Sequence, residues 1–338
     1  MTSPIDWKRF ADVVRSASRI LLTVHQRPDG DCLGSQLAMK RILEKLGKTV
    51  YTLNPHSVPP TLKFLDPNGE LLGLNEATPE ERNRINDVDL VMVLDTSAWA
   101  QLADIGPLFK ASTARKIVLD HHHKSDDIGA ERFVDSDAEA TGTLVVQAAE
   151  ALEVPMDREI AEAAFVAMAT DTGWFRFSSV RAETLRIAAK LLDAGAVPAD
   201  LYRELYEQES LGRIRLVGRT LAQVESHFDG RLMFTRIMQD DLLSAGAVPS
   251  DTEDIVNMAL QVHGSQMAVL VSELKDRTFK ISFRSRCAVD CSRLAARFSG
   301  GGHKQAAGAS SDRSFEELRK ALLDAVGQAL DELTDGGK

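Results

Sequence analysis

The stretch RILLTVHQRPDGDCLGSQLAMKRILEKLGK, residues 19–48, decides the fold. An apolar run over residues 19–24 leads into a turn rich in Pro, Gly and Asp, and then into an amphipathic segment with apolar residues three and four apart. That order reads as strand, loop, helix. Apolar runs of the same kind return as KTVYTL (48–53), DLVMVL (89–94) and RKIVL (115–119). Near-continuous apolar strands separated by helical stretches predict a mainly parallel sheet flanked by helices on both faces, an α/β fold.

From Thr141 onward the periodicity turns helical in TGTLVVQAAEAL, DREIAEAAFVAMAT and AETLRIAAKLLDAG, which complete a first domain over residues 1–195. A charged helical segment over 196–228 reads as a linker. The pattern then restarts as a smaller α/β domain over 229–338: strand RLMFTRIM, helix DTEDIVNMALQV, a strand pair QMAVLVSEL and TFKISFR, helix CSRLAARF, a glycine run Gly300 to Gly302, and a long terminal helix. There is no internal repeat, and only the TDGGK tail is compositionally simple.

Composition narrows the function classes. At 338 residues two domains are expected. No run approaches the roughly 18 apolar residues of a membrane span, and the charged N-terminus lacks a signal-peptide core, so a cytoplasmic protein without membrane partners is expected. Three cysteines without a CxxC pair indicate neither a disulfide framework nor a structural zinc site. A net charge of -10 excludes wrapping long nucleic acid, which depends on many Lys and Arg contacts to phosphate. Short anionic substrates stay open if cations supply local positive charge.

Three strands end directly in ionisable residues: LLTVH in His25, VMVLD in Asp95, and IVLDHHH in Asp120, His121, His122 and His123. The carboxyl edge of a parallel sheet is where open α/β folds bind ligands, so these groups should converge. Asp29 and Asp31 lie in the loop after the first strand, and Asp171 opens DTGWFRF. Taken singly, each has an ordinary explanation. Asp31 would cap the helix that follows it, Asp95 and Asp171 would be loop residues, and the histidines a solvated patch. Such explanations must hold at every strand end at once, and that coincidence favours a site. Carboxylates gathered in one crevice repel, and divalent cations relieve them. An Asp-rich set with some His and no Cys favours two Mn²⁺ ions, or Mg²⁺, over tetrahedral zinc. Two such ions bridged by a carboxylate suit phosphate-ester hydrolysis.

HQRPDGDCLGS, VLDTS, LDHHH and ATDTGWF resemble the four successive motifs of the DHH phosphoesterases, and GGGHKQAAGAS resembles the glycine-rich motif of their accessory DHHA1 domain. The match runs in order from His25 to Ser310, and the two-domain size is similar to the bacterial nanoRNase/pAp phosphatases of the NrnA type. The resemblance implies that His25 and Asp29 hold one metal, that Asp31, His121 and Asp171 hold the other, and that Asp95 bridges them. It also implies a catalytic His122 facing the substrate phosphate, Asp120 orienting the histidine cluster, and an active site in the cleft between the domains. His123 falls outside the motif and is expected to be a structural or surface histidine. Thr143 stands where relatives often carry Glu, and the bulky Trp174 where a smaller residue is common; packing is the expected role of Trp174.

In the second domain, Arg284 and Ser285 end a strand, and Gly301, Gly302 and His303, with Lys304 beside them, offer open backbone N–H groups. Together they are expected to bind the substrate's distal phosphate or terminal nucleotide. His56, His227 and His263 stand alone and are expected to be ordinary surface or packed residues. The implied activity is hydrolysis of short oligoribonucleotides, linear dinucleotides or pAp to mononucleotides by water activated between two metals. The rivals are a RecJ-like single-strand exonuclease, an inorganic pyrophosphatase, and a non-catalytic nucleotide sensor. A homodimer is expected from general frequency alone.

Overall fold

The computed structural model describes residues 5–123 and 125–335; the last three residues of the TDGGK tail lie outside them. The chain divides into two compact units, Met1–Gln208 and Glu209–Lys338.

In the first unit, β1 (Arg19–Thr23), β2 (Thr49–Thr52), β3 (Leu90–Leu94), β4 (Arg115–Asp120) and β5 (Glu131–Val134) form a parallel sheet in the order β2-β1-β3-β4-β5. The strands read as continuous apolar runs because both faces are covered. Ile20 and Leu22 enter one core, while Leu21 enters the opposite one with Val91, Val93, Phe109 and Val118. Periodicity does not predict β5, because ERFV is an edge strand with two charges among its four residues.

The helices are α1 (Trp7–Ser16), α2 (Gly30–Lys45), α3 (Pro79–Asn83), α4 (Trp99–Leu102), α5 (Gly106–Ala111), α6 (Thr141–Ala151), α7 (Arg158–Asp171), α8 (Ala182–Asp193) and α9 (Pro198–Tyr206). Helices α2, α6 and α7 form the layer that carries the site. A Cβ on Gly34 of α2 would stand 2.5 Å from the Ala163 carbonyl oxygen, and one on Gly142 of α6 would stand 2.5 Å from Ala167 Cβ. Only glycine lets α2 and α6 come so close to α7.

The segment expected as a single linker is two helices with different allegiances. Helix α9 buries Leu201 in the first unit's core, whereas α10 (Leu211–Ala222) buries Leu216 in the second's. Each amphipathic stripe docks on its own unit, and the chain divides between them.

The second unit is a six-stranded mixed sheet in the order β10-β11-β9-β8-β7-β6. Its strands are β6 (Glu225–His227), β7 (Leu232–Ile237), β8 (Met267–Glu273), β9 (Phe279–Ser285), β10 (Gly301–Gly302) and β11 (Ala306–Ser311). Strands β7 and β8 are parallel and the other pairs antiparallel. Helices α11 (Gln239–Ala245), α12 (Ile255–Ala259), α13 (Cys291–Ala296) and α14 (Phe315–Asp335) complete it. The helix expected over DTEDIVNMALQV shortens to α12, because Asp254 takes a left-handed conformation (φ 62°) and interrupts it. Strand β11, AAGASS, has no β-branched residue, so its sequence carries no strand signal. No described helix is long and apolar enough to cross a membrane.

Candidate metal centre

The strand order 2-1-3-4-5 reverses direction between β1 and β3, and a crevice opens at such a switch point beyond the strand ends. His25 follows β1, Asp95 follows β3, and Asp120 closes β4 with His121 and His122 behind it. The N-terminus of α2 contributes Asp29 and Asp31, and the last residue of α7 is Asp171.

Asp95 lies at the middle of the cluster. It is 2% exposed and held in the left-handed region at φ 62°, a conformation that costs most residues energy but that Asp tolerates. Its Oδ2 is 3.3 Å from His25 Nε2, and its Oδ1 is 3.5 Å from His121 Nε2 and 3.8 Å from His122 Nδ1. His25 Nε2 also lies 3.7 Å from Asp29 Oδ1. On the other side, His121 Nε2 lies 3.7 Å from Asp31 Oδ2 and 3.6 Å from Asp171 Oδ2.

The cap of α2, the ordinary alternative for Asp31, is Asp29. Asp29 is the N-cap of α2 and accepts from the Cys32 N–H at 3.1 Å. Asp31, inside the first turn, instead caps a different helix: Thr141 N–H and Gly142 N–H at the start of α6 donate to it at 2.8 and 2.9 Å. The N-cap residue of α6, Ala140, has no side chain that could do so.

Tautomers can be read from the outward nitrogens. His25 Nδ1 is 2.8 Å from the Gln26 carbonyl oxygen, and His121 Nδ1 is 3.2 Å from that of Ala138. A carbonyl only accepts, so each Nδ1 carries the hydrogen, and in the neutral ring the Nε2 lone pair points at carboxylate oxygens. Lone pair against carboxylate is repulsive unless a cation lies between them, so the donors fit a metal. Of the histidines near it, Asp120 binds His122, accepting from its Nδ1 at 2.8 Å and its backbone N–H at 3.0 Å; Ala138, not Asp120, orients His121.

The electrostatics agree with that fit. Among the described residues, only histidines form ion pairs with Asp31, Asp95 or Asp171. Burial, with Asp95 and Asp171 adding, drives the Asp31 carboxyl well above the ordinary range, and burial also raises Asp171. Burial opposes charging of His25, but its hydrogen bonds to Asp29 and Asp95 outweigh that, and its pKa is raised.

Among the described residues, potential ligand atoms fall into three groups: His25, Asp29, Cys32 and Asp95; Asp95, His121 and His122; and Asp31, His121 and Asp171. Cys32 falls within the first of these groups through its sulfur, although the set expected from sequence contains no Cys. It is fully buried, burial pushes its thiol up to about 12, and its position three residues beyond Asp29 on the helix turns it back towards His25. Sequence reasoning also missed Thr141, Ser35 and Ser97, whose hydroxyls donate to Asp95, Asp31 and Asp120. Ser35 and Ser97 close the motif segments HQRPDGDCLGS and VLDTS, and Thr141 opens the TGT run at the start of α6. Thr143 donates to Glu139 at 2.6 Å.

His123 is exposed. Trp174 packs edge-on against Phe165, Tyr202 and Tyr206, with ring centroids 5.0 to 5.8 Å apart. His56 Nδ1 accepts from the Arg27 N–H, and His227 pairs with Glu225. In the second unit, Arg284 Nε donates to Asn257 Oδ1 at 2.9 Å. Ser285, next along β9, is buried and its hydroxyl is held at Cys287, so it points away from Arg284's face. Gly301 and Gly302 form β10 rather than an open loop, and His303 and Ala306 close the turn into β11. His303 is exposed there.

Residues 19–168 match the model of the DHH family, N-terminal domain, and residues 231–332 match the DHHA1 domain. The chain is 30% identical over 335 residues to the bifunctional oligoribonuclease and PAP phosphatase NrnA of Thermus thermophilus, covering 96% of this chain and 97% of that one. It is 27% identical to the Bacillus subtilis protein of the same name, covering 90% and 93%. Among solved structures it is similar to an exopolyphosphatase-related protein from Bacteroides fragilis, with TM-score 0.80, 27% identity and 98% of each chain covered.

Proposed function

This chain belongs to the DHH family and carries a DHHA1 domain behind its DHH domain, and on that premise we propose that it is a divalent-metal-dependent phosphoesterase. Its proposed substrates are short oligoribonucleotides, linear dinucleotides and pAp, cut to mononucleotides. The observation that carries this reading is Asp95, with one carboxylate oxygen beside His25 and the other beside His121.

We assign His25, Asp29 and Asp95 to one metal and Asp31, His121, Asp171 and Asp95 to the other. Oxygen-rich donors with a minority of imidazole favour Mn²⁺, with Mg²⁺ as the alternative. When bound, the two cations would supply positive charge for the phosphoryl oxygens and acidify a water. His122, half-exposed and held by Asp120, would meet the substrate phosphate. Its pKa is raised, chiefly by the hydrogen bond to Asp120, so it can present an N–H to an anionic oxygen.

Residues 1–195 would carry the chemistry, and 229–338, through Arg284, Gly301, Gly302 and His303, would hold the part of the substrate that does not react. Ser285 would serve by bracing the turn after Arg284. The names of the Thermus and Bacillus relatives support the choice of substrates. The proposal retains the cytoplasmic location and the homodimer expected from sequence.

The test is incubation of the purified protein with pAp, pApA and a longer RNA, with and without Mn²⁺, followed by product chromatography. Metal-dependent release of AMP from pAp and pApA is expected, with slower cleavage of the longer RNA. Absence of metal-dependent hydrolysis of all three would overturn the proposal.

A further inference from the structure

Thr141, at the first position of α6, is completely buried and donates to two carboxylates at once. Its backbone N–H reaches Asp31 Oδ2 at 2.8 Å, and its hydroxyl reaches Asp95 Oδ1 at 2.7 Å. No other donor pair among the described residues joins these two aspartates.

The accounting of lone pairs gives the bonds their meaning. A carboxylate oxygen accepts about two hydrogen bonds. Asp31 Oδ1 already takes the Ser35 hydroxyl at 3.1 Å and the Gly142 N–H at 2.9 Å, so it is full. Asp31 Oδ2 takes only the Thr141 N–H and has one direction left, on the side of His121. Asp95 Oδ1 takes the Thr141 hydroxyl and likewise has one left, also towards His121, while Oδ2 remains for His25.

We infer that Thr141 is a positioning residue for the metal centre: by filling one lone pair on each of Asp31 and Asp95, it fixes which carboxylate oxygens a cation can reach. Asp31 would then offer a cation Oδ2 alone, and Asp95 is held so that its two oxygens face opposite histidines. The β-branch narrows the rotamers open to the hydroxyl, and Gly142 lets the start of α6 sit close against α7. Without the hydroxyl, Asp95 could rotate, and its carboxylate would have to be ordered when the metal arrives.

The inference rests on reading this cluster as a metal centre, and the experiment separates the two. Mn²⁺ is titrated calorimetrically into metal-free wild type, Thr141→Val and Thr141→Ser, with thermal melts of each metal-free protein. Valine keeps the shape and the backbone N–H but loses the hydroxyl, whereas serine keeps the hydroxyl. Thr141→Val is expected to bind Mn²⁺ about 10- to 100-fold more weakly in at least one site, with an unchanged metal-free melt, and Thr141→Ser to stay within about 3-fold of wild type. A wild type that binds no Mn²⁺ would remove the metal reading itself. Wild-type affinity in Thr141→Val, equal weakening in Thr141→Ser, or a metal-free Thr141→Val that no longer folds would each overturn the positioning role alone.

Discussion

His25 Nε2 stands 3.3 Å from Oδ2 of Asp95, the carboxylate whose other oxygen faces His121. Asp95→Asn removes a charge that both metals would share. Asn tolerates the left-handed backbone at this position, so the fold is expected to persist. Activity should fall by at least about 100-fold. Turnover near wild type in metal-replete Asp95→Asn, with an unchanged circular dichroism spectrum, would refute the bridging assignment.

Chelation should abolish activity reversibly, with Mn²⁺ restoring it better than Zn²⁺. The buried Cys32 beside His25 is the one group that runs against this preference, because a sulfur donor would favour Zn²⁺ over Mn²⁺. Cys32→Ala should weaken Zn²⁺ binding more than Mn²⁺ binding in competition titrations. Equal loss for both ions would show that the thiol is only packing.

Gly34→Ala tests the helix layer. The added Cβ would meet the Ala163 carbonyl oxygen at 2.5 Å, and a backbone atom cannot swing aside. We expect about 1–3 kcal/mol of destabilisation by urea unfolding, together with weaker metal binding because α7 carries Asp171. Unaltered stability would mean that α7 shifts at no cost.

Glu70 provides a pH signature away from the site. Its carboxylate accepts from Arg41 and from Lys40 at 2.6 Å, and chiefly the Arg41 bond lowers its pKa from 4.5 to about 2. Because the folded-state value is the lower one, the unfolded chain takes up the proton first as pH falls. The stabilisation is therefore complete above 4.5 and is lost as pH falls towards 2. Glu70→Gln should cost about 1–2 kcal/mol at pH 7 for this partly exposed pair, and less at pH 3. A penalty equal at both values would assign it to packing.

Arg284→Ala and His303→Ala should impair hydrolysis of pAp and dinucleotides while sparing slow hydrolysis of a small chromogenic phosphodiester, which has nothing for them to hold. Equal losses on every substrate would move these residues to folding or to the chemistry itself.

The sequence alone determined the parallel sheet and the identity of the acids and histidines at its edge. Strand periodicity and strand ends are local properties, legible in LLTVH, VMVLD and IVLDHHH without knowledge of what packs against them. Strand β11 and the split of the expected linker were not legible in this way. AAGASS becomes a strand because β9 and β10 offer it hydrogen-bonding edges, and α9 and α10 separate because their apolar stripes find different cores. The same holds at the site. Only tertiary structure made Asp29 the cap of α2, turned Asp31 to cap α6, placed Thr141 on Asp95 and brought Cys32 towards His25. Residues 31 and 141 are joined by a hydrogen bond spanning 110 positions of chain, and such a bond depends on how closely α2, α6 and α7 pack, which no local pattern encodes.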